Sequence, residues 1–105
     1  MSPWERTLAV GELDGVWKVK RVSGLLPPLV GVQKRISGSS GQTRVGPLFG
    51  VPFDVVGRDL HYCPPFQGFV DELEPTGSGY LGRATFRGRV FGRFALERLS
   101  DGGGT

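Results

Sequence analysis

The chain has 105 residues, which bounds it to one domain with a modest core. Its net charge is +3, with thirteen basic residues mixed among ten acidic ones, so no run of like charge marks a nucleic-acid or membrane tail. A single cysteine, Cys63, excludes an internal disulfide and a multi-cysteine metal site, and no apolar stretch approaches the roughly 20 residues that span a bilayer.

Residues 1–10 carry Glu5 and Arg6 and lack an apolar secretory core, so a cytoplasmic protein is expected. Pro3–Leu13, with Trp4, Leu8 and Leu13 as apolar positions, reads as a short helical turn. Asp14-Gly15 is a turn signal. Val16–Val22 then alternates, with Trp17 and Val19 on one face and Lys18 and Lys20 on the other, as in a half-buried strand. The segment 24–31 (GLLPPLVG) is apolar, but Pro27-Pro28 removes ladder donors, so it reads as a loop over one mouth of the sheet. Val32–Ser37 resumes strand character, Gly38–Gly41 is a hairpin loop and Thr43–Val45 a short strand. Gly46–Pro52 reads as a loop anchored by Leu48 and Phe49. Phe53–Val56 and Asp59–Tyr62 flank a Gly57-Arg58 turn, Gly68–Leu73 is another strand, and Tyr80–Phe86 and Val90–Leu99 form a last hairpin around Arg87-Gly88. Residues 100–105 read as a flexible tail after a single domain over 1–99.

Short strands at this spacing predict an all-β fold, a small antiparallel up-and-down barrel of about eight strands. A barrel removes sheet edges that an open sandwich would have to protect. The 18 glycines, well above the roughly 7% average, fall mostly between apolar runs and suit turns and bulges. In the last hairpin Val90, Gly92, Phe94 and Leu96 share one face and Gly82, Ala84 and Phe86 share one face of the partner. Small residues alternating with phenylalanine suit the taper of a tight barrel. The opposite faces carry Arg83, Thr85 and Arg87, and Phe91, Arg93, Ala95 and Glu97.

Gly15-x-Trp17 at the head of the first strand, the short turn before it, and Arg98 near the end of the last strand resemble the calycin group of lipocalins and fatty-acid-binding proteins. Leu13–Val22 (LDGVWKVKRV) is similar to the first strand of fatty-acid-binding proteins. The resemblance covers about a third of the chain. It implies that Trp17 closes one barrel end, that Arg98 packs across it, and that a small apolar or amphipathic ligand, anionic in some members, is held inside without catalysis. Candidate liners are Val19, Phe53, Val55, Leu60, Tyr62, Phe69, Phe86, Phe94 and Leu96. The same residues would also serve as a filled core, because an eight-strand barrel is just wide enough for side chains or one small ligand. The haem-binding branch of the group uses a late histidine, and none follows His61, so no cofactor is expected.

Other constellations carry less. Arg83, Arg87, Arg89 and Arg93 read as an outer solvated stripe; with Phe91 beside them they also fit a basic, stacking surface for nucleic acid, which is the weaker reading. His61 and Cys63 lie at i and i+2, about 7 Å apart along a strand, too far for a nucleophile–base pair. Asp71 or Glu72 is expected to pair across the sheet with Arg83. A rival to the ligand binder is a filled interaction module that forms a homodimer. No residue set reads as catalytic or metal-binding.

Overall fold

The computed structural model describes residues 11–47 and 49–100. Eight strands follow one another: β1 (Gly15–Gly24), β2 (Val32–Ser37), β3 (Ser40–Val45), β4 (Phe49–Val56), β5 (Asp59–Tyr62), β6 (Phe69–Pro75), β7 (Gly79–Phe86) and β8 (Arg89–Ser100). Each pairs antiparallel with its neighbours in sequence, and β8 returns to β1, so the sheet is a closed barrel. The N-terminal helical turn predicted over Pro3–Leu13 lies mostly outside the described residues. What is described, Gly11–Asp14, is a tight turn closed by the Asp14 amide on the Gly11 carbonyl at 3.1 Å. The predicted tail likewise lies outside, apart from Ser100, which β8 includes.

β3 starts at Ser40, inside the predicted Gly38–Gly41 loop and ahead of Thr43, and two further differences have a physical reason. Gly46–Pro52 is not all loop, because β4 starts at Phe49 and runs through Pro52. The ladder from β4 to β5 begins only at Phe53↔Tyr62, so the missing proline N–H breaks no bond on that side. The second difference is a bulge in β8. Ala84 pairs with Gly92 but Thr85 pairs with Val90, which leaves Phe91 as the extra residue. The predicted inner face of β8 is therefore reversed at this end, while that of β7 stands. Phe91 turns in and packs on the core, whereas Val90 is 42% exposed; Phe86, opposite Phe69 on β6, keeps the predicted face and is 40% exposed at the rim.

The interior divides along the barrel axis. One half is packed solid by Leu13, Trp17, Ile36, Phe53, Leu60, Leu73, Tyr80 and Leu96. Trp17 is 2% exposed; its ring meets Tyr80 edge-on at 5.4 Å, and its indole N–H donates to the Leu13 carbonyl at 2.9 Å. Outside it, the Arg98 guanidinium lies 4.2 Å from the indole centre and donates to the Asp14 carbonyl at 2.7 Å. Glu12 strengthens this end, accepting from Arg58 at 2.6 Å and from the Tyr80 hydroxyl at 2.5 Å. Gly82 is required where the barrel narrows, since a Cβ there would run into the Phe94 ring. The other half of the interior is open.

Candidate functional site: a cavity over a buried ion pair

The open half holds a cavity of about 320 Å³. Its walls are apolar, formed by Val19, Val32, Val51, Ala84, Phe91 and Phe94 among others. The volume is about twice that of an engineered apolar cavity that takes up benzene, which sets its capacity on the order of a dozen heavy atoms. The β1–β2 loop closes over it as its prolines suggest. Leu26 and Leu29 point in, while Leu25 and Val30 stay in solvent. Arg21 holds the loop through the Leu26 carbonyl at 2.9 Å and the Gly24 carbonyl at 2.6 Å. Leu26 seats on Gly92, where a Cβ would approach its Cγ to 2.5 Å.

The floor of the cavity is polar. Lys34, on β2, is 3% exposed, and Asp71, on β6, is 7% exposed. The Lys34 ammonium lies 2.8 Å from Asp71 Oδ2 and donates to Thr43 Oγ1 at 2.7 Å and to Tyr62 OH at 2.8 Å. Tyr62 donates to Asp71 Oδ2 at 2.9 Å. Because that bond uses its only proton, the 2.6 Å contact between Thr43 and Tyr62 takes its proton from Thr43. The ammonium also sits 5.2–5.6 Å from the ring centres of Phe53, Tyr62 and Phe94. Alternation explains why these charges point inward. Lys34 lies between Val32 and Ile36 on the buried face of β2, and Asp71 between Phe69 and Leu73 on that of β6.

Burial alone would lower the Lys34 pKa, but Asp71, followed by Tyr62, outweighs it and pushes it up to about 12. Burial raises the Tyr62 phenol as well, with Lys34 opposing. The lysine value in the unfolded chain is near 10.5. The pair's contribution is thus fully present below that pH and is lost as pH rises through about 12. The difference amounts to about 2 kcal/mol. Denaturant unfolding at pH 10 and 12, with Lys34→Met/Asp71→Leu as reference, is expected to show the native protein losing about that much relative to the double variant. Equal losses in the two proteins would contradict it.

The sequence-derived liners separate into groups. Val19, Tyr62, Phe69 and Phe94 line the cavity. Trp17, Phe53, Leu60 and Leu96 are buried in the packed half, and Val55 packs against it. Phe86 lies on the rim against Phe69, with ring centres 4.6 Å apart. Arg98 covers Trp17 from outside as the resemblance implied. Arg83, Arg87, Arg89 and Arg93 are all exposed, and Arg83 pairs with Glu72 at 3.1 Å. Asp71 takes the inner partner instead. Phe91, assigned to the arginine face as a stacking ring, lines the cavity, so the basic face lacks that aromatic. His61 is exposed and Cys63 half-buried. Among the described residues no group of three potential metal ligands occurs, and no helix is long and apolar enough to cross a membrane.

Sequence reasoning missed Lys34 and Thr43 altogether and Asp71 as an interior group. The signal was present in Val32-x-Lys34-x-Ile36 and Phe69-x-Asp71-x-Leu73, where a charge occupies an otherwise apolar face.

No protein-family model matches the chain, and no curated protein and no solved structure matches it.

Proposed function

We propose that this protein is a calycin-like, non-enzymatic binder of a small, largely apolar molecule in the open half of its barrel. The observation that carries the reading is the division of the interior: a packed half plugged by Trp17, and an apolar chamber of about 320 Å³ with a polar floor. A concave, mostly apolar site with a few convergent polar groups is the usual form of a small-molecule pocket. Catalysis has no support, because the polar groups of the floor are engaged with one another. The calycin assignment draws on the position of Trp17, on Arg98 stacked over its ring and on the up-and-down topology.

The reading is tested by titrating methyl-labelled protein with 1-decanol and following the methyl resonances by NMR. Shifts are expected at Val19, Val32 and Leu26, with little change at Leu60 and Leu73. Ala84 lines the chamber, so Ala84→Leu fills it; that variant is expected to fold and to lose the shifts. Shifts confined to exposed methyls, or unchanged binding by Ala84→Leu, would refute it.

A further inference from the structure

We infer that the polar end of the ligand is a neutral hydrogen-bond donor, an alcohol or phenol, and not a carboxylate. This rests on the cavity reading above and specifies its ligand. The argument is an account of protons and lone pairs at the floor. All three Lys34 protons are committed, to Asp71, Thr43 and Tyr62. The Tyr62 proton goes to Asp71 and the Thr43 proton to Tyr62. The floor therefore has no donor left for an incoming acceptor. It does have acceptors. Asp71 receives both of its bonds on Oδ2, and Oδ1 receives none among the described residues. No fully buried side-chain oxygen or nitrogen among those residues lacks a partner, so Oδ1 keeps open surface, and Asp71 lines the chamber.

Charge agrees with this account. Lys34 and Asp71 neutralise one another, so a carboxylate would bring a second anion beside Asp71 into a poorly solvated space. An alkylammonium would leave the floor with an unbalanced cation. A neutral hydroxyl donating to Asp71 Oδ1 disturbs neither partner.

The test is calorimetric titration of the native protein with 1-decanol, decanoate, decylamine and decane, which share one apolar body. Decanol is expected to bind about tenfold or more tighter than decane, as for a hydrogen bond to a charged group, and tighter than decanoate or decylamine. In Lys34→Met/Asp71→Leu the preference of decanol over decane should vanish while decane still binds. Decanoate binding as well as decanol would overturn the head-group assignment and leave the cavity reading intact. Failure of the whole series to bind would remove both.

A different observation carries a second proposal: the mouth of the barrel is a docking surface for an anionic lipid bilayer. Exposed apolar side chains gather there. Leu25 is 86% and Val30 93% exposed, with Phe49, Phe66, Phe86 and Val90 at the same end. The four chain segments of the mouth, 24–31, 45–49, 62–69 and 86–90, contain no Asp or Glu. Arg87 and Arg89 lie within the last of them, and Arg21 and Arg44 flank the first two. Glu12, Asp14, Asp59 and Glu74 lie at the opposite end. An apolar rim whose exposed charges are arginines complements an anionic headgroup layer over acyl chains.

Flotation with phosphatidylcholine vesicles, with and without phosphatidylserine, tests this. Binding is expected to the phosphatidylserine vesicles and to fall at high salt. Leu25→Asp/Val30→Asp should abolish it, and Val56→Asp, at an apolar site 59% exposed at the closed end, should not. Absence of vesicle binding, equal loss in both variants, or concentration-dependent dimerisation abolished by Leu25→Asp/Val30→Asp would overturn the bilayer as the partner.

Discussion

Asp71→Ala is expected to destabilise the protein by about 3–5 kcal/mol, because it leaves the Lys34 ammonium buried and unbalanced. Lys34 is 3% exposed, among the rings of Phe53, Tyr62 and Phe94, which offer polarisable faces but no counter-charge. Thr43 and Tyr62 would still accept two of its protons, yet neither removes the cost of a charge in low dielectric. Removing both members should behave differently. Lys34→Met/Asp71→Leu replaces the pair with apolar groups and is expected to lie near the native stability or above it. Urea unfolding of the three proteins decides the matter. Native-like stability of Asp71→Ala would mean that the ammonium reaches water and that the floor is not sealed. This contrast also bears on why the pair is present. If its removal costs no stability, its role lies in what it presents to the chamber.

Trp17→Ala should cost a similar amount, about 3–5 kcal/mol, through loss of buried area and the void left behind. The indole is 2% exposed and closes the packed half, touching Tyr80 and bonding to Leu13. Around it, Glu12 ties the turn before β1 to Arg58 and Tyr80, so the surroundings are held and have little freedom to collapse into the gap. Arg98→Ala should cost far less, about 0.5–1 kcal/mol, since its guanidinium is exposed and the ring beneath stays buried. Equilibrium unfolding measures both. A loss under about 1 kcal/mol for Trp17→Ala would contradict the plug.

The all-β fold and its strand order were legible because the punctuation is strong. Gly57-Arg58 and Arg87-Gly88 mark turns that the chain makes, Asp14-Gly15 lies where the Gly11–Asp14 turn passes into β1, and the alternation of Trp17 and Val19 against Lys18 and Lys20 gives the face of β1 correctly. The Phe91 bulge was not legible. A single extra residue changes which side chains point inward without altering composition or period on either side, and it exchanged the faces of Val90 and Phe91. Pro52 concealed the first half of β4, since the donor requirement that excludes proline is set by the partner strand and not by the chain itself. The floor was half legible. Lys34 and Asp71 occupy inward positions by simple alternation, but only closure of the barrel shows that β2 and β6 face each other across it. Arg83 was correctly given an acidic partner because cross-strand neighbours are local, and Glu72 is that partner.

The most direct measurement is a crystal structure of the protein grown with 1-decanol. The decyl chain should lie between Val19, Val32 and Phe94, with its oxygen at hydrogen-bonding distance from Asp71 and the Lys34–Asp71 contact kept. A chamber filled by ordered water or by inward-collapsed side chains, with the alcohol elsewhere or absent, would contradict the account.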